Sequence, residues 1–258
     1  MDQEKIIEIL NVYKTFNSHR VLNDTSLAIN KGETKVIIGR SGCGKSVLLK
    51  HIMGIMRPES GSVIVKGKNL SGLSIKELNN LRMRMAMVFQ GGALFDSLNV
   101  GENVGFTLYE YSNLSPKEID ERVEEALCNV ELCGIHKLMP SELSGGMKKR
   151  VAIARGLCIK PEIILYDEPT TGVDPITADS INELIRSLHD KFKVTAIVVT
   201  HDMKSAYRVA DNIAMLYQGK IIAEGTPEEI QKTEHPVVHQ FINGLSYGPI
   251  TETIEKFI

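Results

Sequence analysis

Gly39-Arg40-Ser41-Gly42-Cys43-Gly44-Lys45-Ser46 sits between the apolar run Lys35-Val36-Ile37-Ile38 and a second apolar stretch from Val47 to Met53, the order strand, glycine-rich loop, helix. The string fits G-x-x-x-x-G-K-[ST], and at average composition such a match arises by chance in a chain of this size on the order of 1% of the time. Small residues let backbone N–H groups turn inward around phosphate oxygens, and the following helix points its positive end at the same anion. Lys45 can then reach the β and γ phosphates of a nucleotide. Ser46 offers a hydroxyl to a Mg²⁺ ion bridging them, since that ion prefers hard oxygen ligands. Cys43 reads as a small loop filler and not as a nucleophile.

Working outward, Ile163-Ile164-Leu165-Tyr166 and Val194 to Val199 are continuous apolar runs that suit strands buried on both faces of a parallel sheet. Asp174-Pro175 opens a helix between them, giving a β-α-β crossover. The first run ends in Asp167-Glu168. In a phosphate-loop fold a strand-end Asp supplies the second anchor for Mg²⁺, which assigns Asp167. Alternation along the strand turns Glu168 to the other face, toward an attacking water, as general base. Thr200-His201-Asp202 follows the second run, at the carboxyl edge where open α/β sheets bind ligands. A purely structural role for His201 stays open.

The N-terminal third predicts a mostly antiparallel sheet: short segments from Ile6 to Ile29 broken at Asn17-Ser18 and Asn23-Asp24, then a strand over Gly61 to Gly67. From about Gln90 to Lys160 the pattern becomes helical. Ser115-Pro116-Lys117-Glu118 combines an N-cap, a first-turn proline and a capping-box glutamate, opening a helix expected to stop near Gly134. Its apolar face carries Ile119, Val123, Leu127 and Val130, and Glu121, Glu124 and Glu125 read as a solvated face. Asn212 to Ala223 reads as a hairpin turning at Gln218-Gly219, and Thr226-Pro227-Glu228-Glu229 as another capped helix start.

The wider composition narrows the class. The 258 residues are 43% apolar and 24% charged, values of ordinary globular chains and not of collagen-like or disordered ones. Thirty Lys+Arg against 32 Asp+Glu give a net charge of −2, so the overall field is not that of a dedicated duplex-DNA binder, and no nucleic-acid partner is expected. The acidic start MDQEKIIEIL lacks an export signal, and no apolar run approaches the ~20 residues a spanning helix needs, so any membrane role is peripheral. Cys43, Cys128, Cys133 and Cys158 form no CxxC pair and flank no histidine cluster, which predicts reduced thiols with neither a zinc site nor a disulfide.

Leu143-Ser144-Gly145-Gly146-Met147 before Lys148 to Arg155 resembles the LSGGQ signature of ATP-binding cassette (ABC) ATPases, with Met147 where glutamine is usual. With Gly39–Ser46, Gln90 in the Q-loop position, Asp167-Glu168, Asp174 in the D-loop position and His201, it matches that family's ordered motif set over roughly residues 6 to 230. The resemblance implies an α/β P-loop NTPase with a RecA-like core, an N-terminal antiparallel β subdomain, an inserted helical subdomain over about 90–160 and a C-terminal extension over 230–258. All of these lie within one nucleotide-binding domain spanning 1–258.

It also implies that ATP is held by Phe16 and by Gly39, Arg40, Ser41, Gly42, Cys43, Gly44, Lys45, Ser46 and Val47. Mg²⁺ is expected at Ser46, Gln90 and Asp167, and catalysis at Glu168 and His201. Ser144, Gly145 and Gly146 act on the ATP of a second copy in a head-to-tail dimer. Phe16 is the expected adenine-stacking aromatic, with a core aromatic as the alternative. Val47 departs from the usual Thr and lacks a hydroxyl for the α-phosphate.

Within the family, Phe89 to Asp96, Leu138 to Glu142, Met147, Asp174 to Thr177 and Gln240 to Pro249 are similar to the Mla-type (Mce-associated) phospholipid transporter ATPase. That likeness implies a peripheral subunit on the cytoplasmic face of a bacterial inner membrane, with transmembrane permease subunits and an Mce-type lipid-binding subunit as partners. Ala93, Leu94, Phe95 and Leu98 read either as a dock for a permease helix or as core. Val237, Val238, Phe241, Ile242 and Leu245 read either as packing on their own domain or on a neighbour. An ATPase of another importer, or a clamp for DNA repair or iron–sulfur assembly, is the alternative; the long coiled coils of repair clamps are missing from the sequence.

Overall fold

The computed structural model describes residues 4–255, so the two ends of the expected 1–258 span, and the last three residues of the C-terminal extension, lie outside the described residues. Along the chain come β1 (Lys5–Phe16), β2 (His19–Asn30), β3 (Thr34–Ile38), α1 (Lys45–Ile52), β4 (Ser60–Val65), β5 (Lys68–Asn69) and α2 (Ile75–Arg82). Next are β6 (Met85–Val88), α3 (Val100–Tyr111), α4 (Pro116–Asn129), α5 (Gly145–Cys158), β7 (Ile163–Asp167), α6 (Pro175–Phe192) and β8 (Thr195–Thr200). The last are α7 (Met203–Val209), β9 (Asn212–Tyr217), β10 (Lys220–Gly225), α8 (Pro227–Gln231), α9 (Pro236–Ile242) and α10 (Pro249–Glu255). Two compact units emerge: residues up to Ser71 together with those from Val199 onward, and Gly72–Val198.

In the first unit β2, β1, β4 and β5 form an antiparallel sheet in that order. Asn17 and Ser18 both take left-handed backbone, φ 45 and 67, the geometry of a tight hairpin turn that matches strand twist. Asn23-Asp24 does not break the chain as expected. Asp24, φ 60, is absorbed into β2 as a bulge opposite Tyr13, next to a second irregularity of β1 at Asn11, φ 50, and the Asn11 amide donates to the Asp24 carboxylate at 2.8 Å. The buried Ile7, Ile9, Leu27, Ile29, Val63 and Val65 meet across the three long strands. Beside them β3 runs parallel to β9, and β9 returns through Gln218-Gly219 into β10, as the sequence predicts.

In the second unit β6, β7 and β8 lie side by side, and every residue of β7 and β8 is buried, the continuous burial expected of inner parallel strands. Helix α6 crosses between them, burying Ile181, Leu184, Ile185 and Leu188 at helical spacing. Helices α3, α4 and α5, which lie between β6 and β7 in chain order, pack on one another. Ser115, Pro116 and Glu118 form the expected capping box at α4.

The end of α4 departs from expectation in two ways. The helix closes at Asn129, five residues early, because Glu131 takes left-handed backbone (φ 62). The Leu132 N–H then bonds back to Leu127 O at 2.9 Å and the Glu131 N–H to Cys128 O at 3.1 Å, a Schellman reversal. That reversal folds Cys133 onto Cys128, with Cα atoms 4.4 Å apart and the sulfurs bonded. The expectation of separate reduced thiols is therefore corrected. A C-x₄-C spacing carries no disulfide signal until the chain is seen to turn back on itself.

Candidate nucleotide site

Helix α1 begins at Lys45 with no side-chain cap at Gly44 and no acidic residue in its first turn. Its positive dipole end, with no acidic side chain beside it, suits an anion. The loop before it needs its glycines: a Cβ on Gly39 would stand 2.4 Å from the Leu216 carbonyl oxygen, and Gly44 sits at φ 108. Lys45 is buried, and its ammonium donates to Gly39 O at 2.7 Å and Arg40 O at 3.1 Å, holding a cation inside the loop. Ser41 and Gly42 are exposed, and Cys43, Ser46 and Val47 half-buried. A cavity of about 420 Å³ beside the loop is lined by His19, Arg20, Val21, Arg40 to Cys43 and Tyr217.

Phe16, at the end of β1, is 39% exposed with the Lys14 ammonium 5.4 Å from its ring centroid, so the core alternative for this aromatic falls away. His201, also exposed, follows β8. Its neighbours fix the turn: Asp202 caps α7 by accepting from the Lys204 and Ser205 N–H groups, both at 3.1 Å.

In the second unit Asp167 closes β7 and Glu168 follows it, each 7% exposed. Strand alternation does not orient Glu168 as expected, because it lies past the strand in left-handed backbone, φ 50. Its carboxylate accepts from the Thr171 hydroxyl at 3.1 Å. The Lys149 ammonium faces the same carboxylate, and burial pushes that lysine's pKa down against the charge.

Ser144 caps α5, its hydroxyl accepting from the Met147 N–H at 3.2 Å, and the first turn holds no acidic residue. Gly145 is exposed and Gly146 half-exposed, so this second helix N-terminus is open to solvent within its own chain. Gly146 abuts Thr177: an added Cβ would lie 2.7 Å from its methyl group. Thr177 in turn donates its hydroxyl to Asp174 at 2.5 Å, while Asp174 also accepts from the Ile176 and Thr177 N–H groups at 3.0 Å. The Thr177 hydroxyl, then its N–H, hold the Asp174 carboxyl below the usual range, so the cap is charged at neutral pH and weakens as pH falls through that lowered value.

Gln90 is exposed, and the segment after it is gripped through its backbone. Lys149 donates to Gln90 O; Arg155 donates to Gly92 O and to Ala93 O, both bonds 2.7 Å long. The buried Asn103 amide donates to Phe95 O, Leu98 O and Asn99 O, and its oxygen accepts from the Phe95 N–H at 2.7 Å. With the backbone satisfied from behind, the apolar side chains turn outward: Phe95 is 43% and Phe89 37% exposed, and Ala93 is exposed. The core reading is thereby excluded for Ala93 and Phe95, whereas Leu94 and Leu98 are half-buried. Val238 of the C-terminal stretch is buried within its own unit, whereas Leu245 is 47% exposed.

Lys149, Arg155 and Asn103 were not legible as site residues. The available signal was a lysine at the head of the apolar stripe Lys149, Ala152, Ile153, Gly156, where an unpaired charge is costly.

A family model described as ABC transporter matches residues 22–171. The chain is 38% identical over 245 residues to the intermembrane phospholipid transport system ATP-binding protein MlaF of Escherichia coli K12, covering 95% of this chain and 91% of that protein. It is 41% identical over 250 residues to the probable ribonucleotide transport ATP-binding protein mkl of Mycobacterium tuberculosis, covering 97% and 70%. Among solved structures, a dimeric post-hydrolysis ATP-binding cassette bound to ADP and phosphate is 33% identical with a TM-score of 0.79, covering 86% of this chain and 98% of that one.

Proposed function

The chain belongs to the ABC transporter family, and from that premise we propose that it is the ATP-hydrolysing subunit of a membrane transporter that moves phospholipid. One observation carries the mechanism: a single chain presents two glycine-bearing helix N-termini, at Lys45 and at Gly145, both without acidic residues in the first turn. Each is half of an anion site. Two copies placed head to tail bring the Gly39–Val47 loop of one to the Ser144–Gly146 turn of the other, with ATP between them, an arrangement supported by the dimeric relative that holds ADP and phosphate.

ATP favours closure because contacts to both loops exist only in the closed state, and ADP lacks the phosphoryl group that joins them. Phe16 stacks on the adenine. Glu168 accepts a proton from the attacking water, and its burial beside Lys149 keeps that carboxylate in a dry setting. His201 donates to the γ-phosphate. The oxygen donors Ser46, Asp167 and Gln90 suit Mg²⁺, which when bound neutralises charge on the phosphates. Asp174 and Thr177 hold the signature turn in place.

Motion leaves through the exposed Ala93 and Phe95, because Lys149 and Arg155 tie the backbone of Gln90, Gly92 and Ala93 directly to the signature helix α5. Among the described residues no helix is long and apolar enough to cross a membrane, so permease subunits supply the spans, with an Mce-type subunit carrying lipid. The chain acts peripherally at the cytoplasmic face.

The likeness to MlaF supports phospholipid as cargo, and the likeness to mkl makes ribonucleotide the competing substrate. The complete complex, purified with its membrane partners and rebuilt into vesicles, is expected to move labelled phospholipid only with MgATP. ATP-dependent ribonucleotide uptake without lipid movement would overturn the lipid assignment. Val47→Thr is expected to raise nucleotide affinity several-fold, since one added hydrogen bond contributes about 1 kcal/mol. Titration with a fluorescent ATP analogue measures it, and unchanged affinity would remove the α-phosphate contact from the argument.

A further inference from the structure

The Schellman turn after α4 gathers Glu124, Cys128 and Cys133, whose donor atoms all lie within 4.8 Å of one another. Cys128 Sγ is 3.5 Å from Glu124 Oε1, close to the sulfur–oxygen edge of about 3.6 Å in a tetrahedral zinc site with bonds of about 2.3 and 2.1 Å. His136 stands at the rim, its Nδ1 3.7 Å from Glu124 Oε2. The Gly134 N–H donates to Glu124 Oε1 at 3.0 Å and fixes the carboxylate from below. Two thiols, an imidazole and a carboxylate are a zinc donor set, and both cysteines are exposed enough for an ion to reach them.

We propose that the reduced Cys128–Cys133 pair, with Glu124 and His136, binds one Zn²⁺-class cation and so locks the turn between α4 and the signature. The site is distinct from the nucleotide loops and stands whether or not the transported molecule is phospholipid. Reduction precedes binding. A dithiol gives two electrons and two protons to the Cys128–Cys133 bond, becomes a disulfide itself and leaves two thiols. The cation displaces both thiol protons into solvent and takes two thiolates.

The turn is mechanically placed. His136 O accepts from the Gly101 N–H at 2.9 Å and Leu138 O from the Val100 N–H at 2.8 Å, so the segment carrying the donors also holds the first turn of α3. That helix supplies Asn103, which pins the exposed segment at Phe95. Further along, the same segment runs into Leu143 and the signature. An ion here stiffens the support of both functional loops.

The other two cysteines do not compete. Burial pushes the Cys158 thiol up to about 12, leaving it protonated and unreactive, and Cys43 belongs to the phosphate loop. The test uses the full chain reduced with dithiothreitol, desalted without oxygen and titrated with Co²⁺. One equivalent per chain should give thiolate-to-cobalt charge-transfer absorption that Zn²⁺ abolishes, and Zn²⁺ should raise the melting temperature. Cys128→Ser and Cys133→Ser are expected to lose the band and the shift. His136→Ala should bind 10- to 100-fold more weakly, as for other groups that orient or complete a metal set. Circular dichroism and ATP turnover keep a misfolded variant apart from a metal-free one. A band that survives Cys128→Ser, or reduced wild-type protein that shows none, overturns the site; in the latter case the pair is a disulfide only.

Discussion

Glu168→Gln is expected to bind MgATP about as well as the parent chain and to hydrolyse it about 10²- to 10⁴-fold more slowly, the usual contribution of a general base. Glutamine keeps the shape of the carboxylate and an oxygen able to accept the Thr171 hydroxyl, so the turn after β7 is retained. What disappears is the only form of this side chain that takes a proton from water. The substitution also removes a negative charge facing the buried Lys149, whose ammonium keeps the Gln90 carbonyl as its partner. Steady-state phosphate release measures the rate, and size-exclusion chromatography with ATP measures the dimer that accumulates once closure is no longer followed by hydrolysis. Wild-type turnover in this variant would remove Glu168 from the chemistry and move the base to another group, with His201 the first to examine.

The variant also separates what local sequence encodes from what it does not. Gly39 to Ser46 was legible because eight adjacent residues dictate one loop, and the flanking apolar runs dictate the strand and helix that hold it. The β7-α6-β8 crossover was legible for the same reason: burial on both faces writes a continuous apolar run. Glu168 lies one residue past that strand, so alternation does not set its direction: it stops where the backbone turns left-handed.

The missed features all depend on backbone groups or backbone conformation, which side-chain patterning does not record. Lys149 and Arg155 reach backbone carbonyls about sixty positions away, and a carbonyl acceptor leaves no mark on the sequence that presents it. The outward turn of Phe95 follows from Asn103 satisfying the backbone behind it, which hydrophobicity alone cannot distinguish from a core segment. The Cys128–Cys133 pairing waited on a left-handed Glu131, a conformation uncommon for that residue type.

Lys45→Ala is expected to weaken ATP binding at least 100-fold, and Ser144→Arg to spare binding by the lone chain while abolishing hydrolysis. Each hydrogen bond to a charged group contributes about 1.5–3 kcal/mol, so losing two contacts to a triphosphate costs at least about 3 kcal/mol. The loop itself should survive, because Arg40 O lies beside an exposed turn where water replaces the lost donor, and only the buried Gly39 O loses a partner.

Mixing the two variants then tests the geometry of the pair. In a head-to-tail dimer of one Lys45→Ala chain and one Ser144→Arg chain, the site built from the intact loop of the second chain and the intact signature of the first is whole. The opposite site carries both defects. Random exchange makes about half the dimers mixed, each with one of two isologous sites working, so about a quarter of the parental rate should return. Each variant alone stays inactive. Were Ser144–Gly146 to serve the nucleotide of their own chain, no pairing of these two defects would restore turnover, and an inactive mixture of exchanging, folded chains would dismantle the shared site.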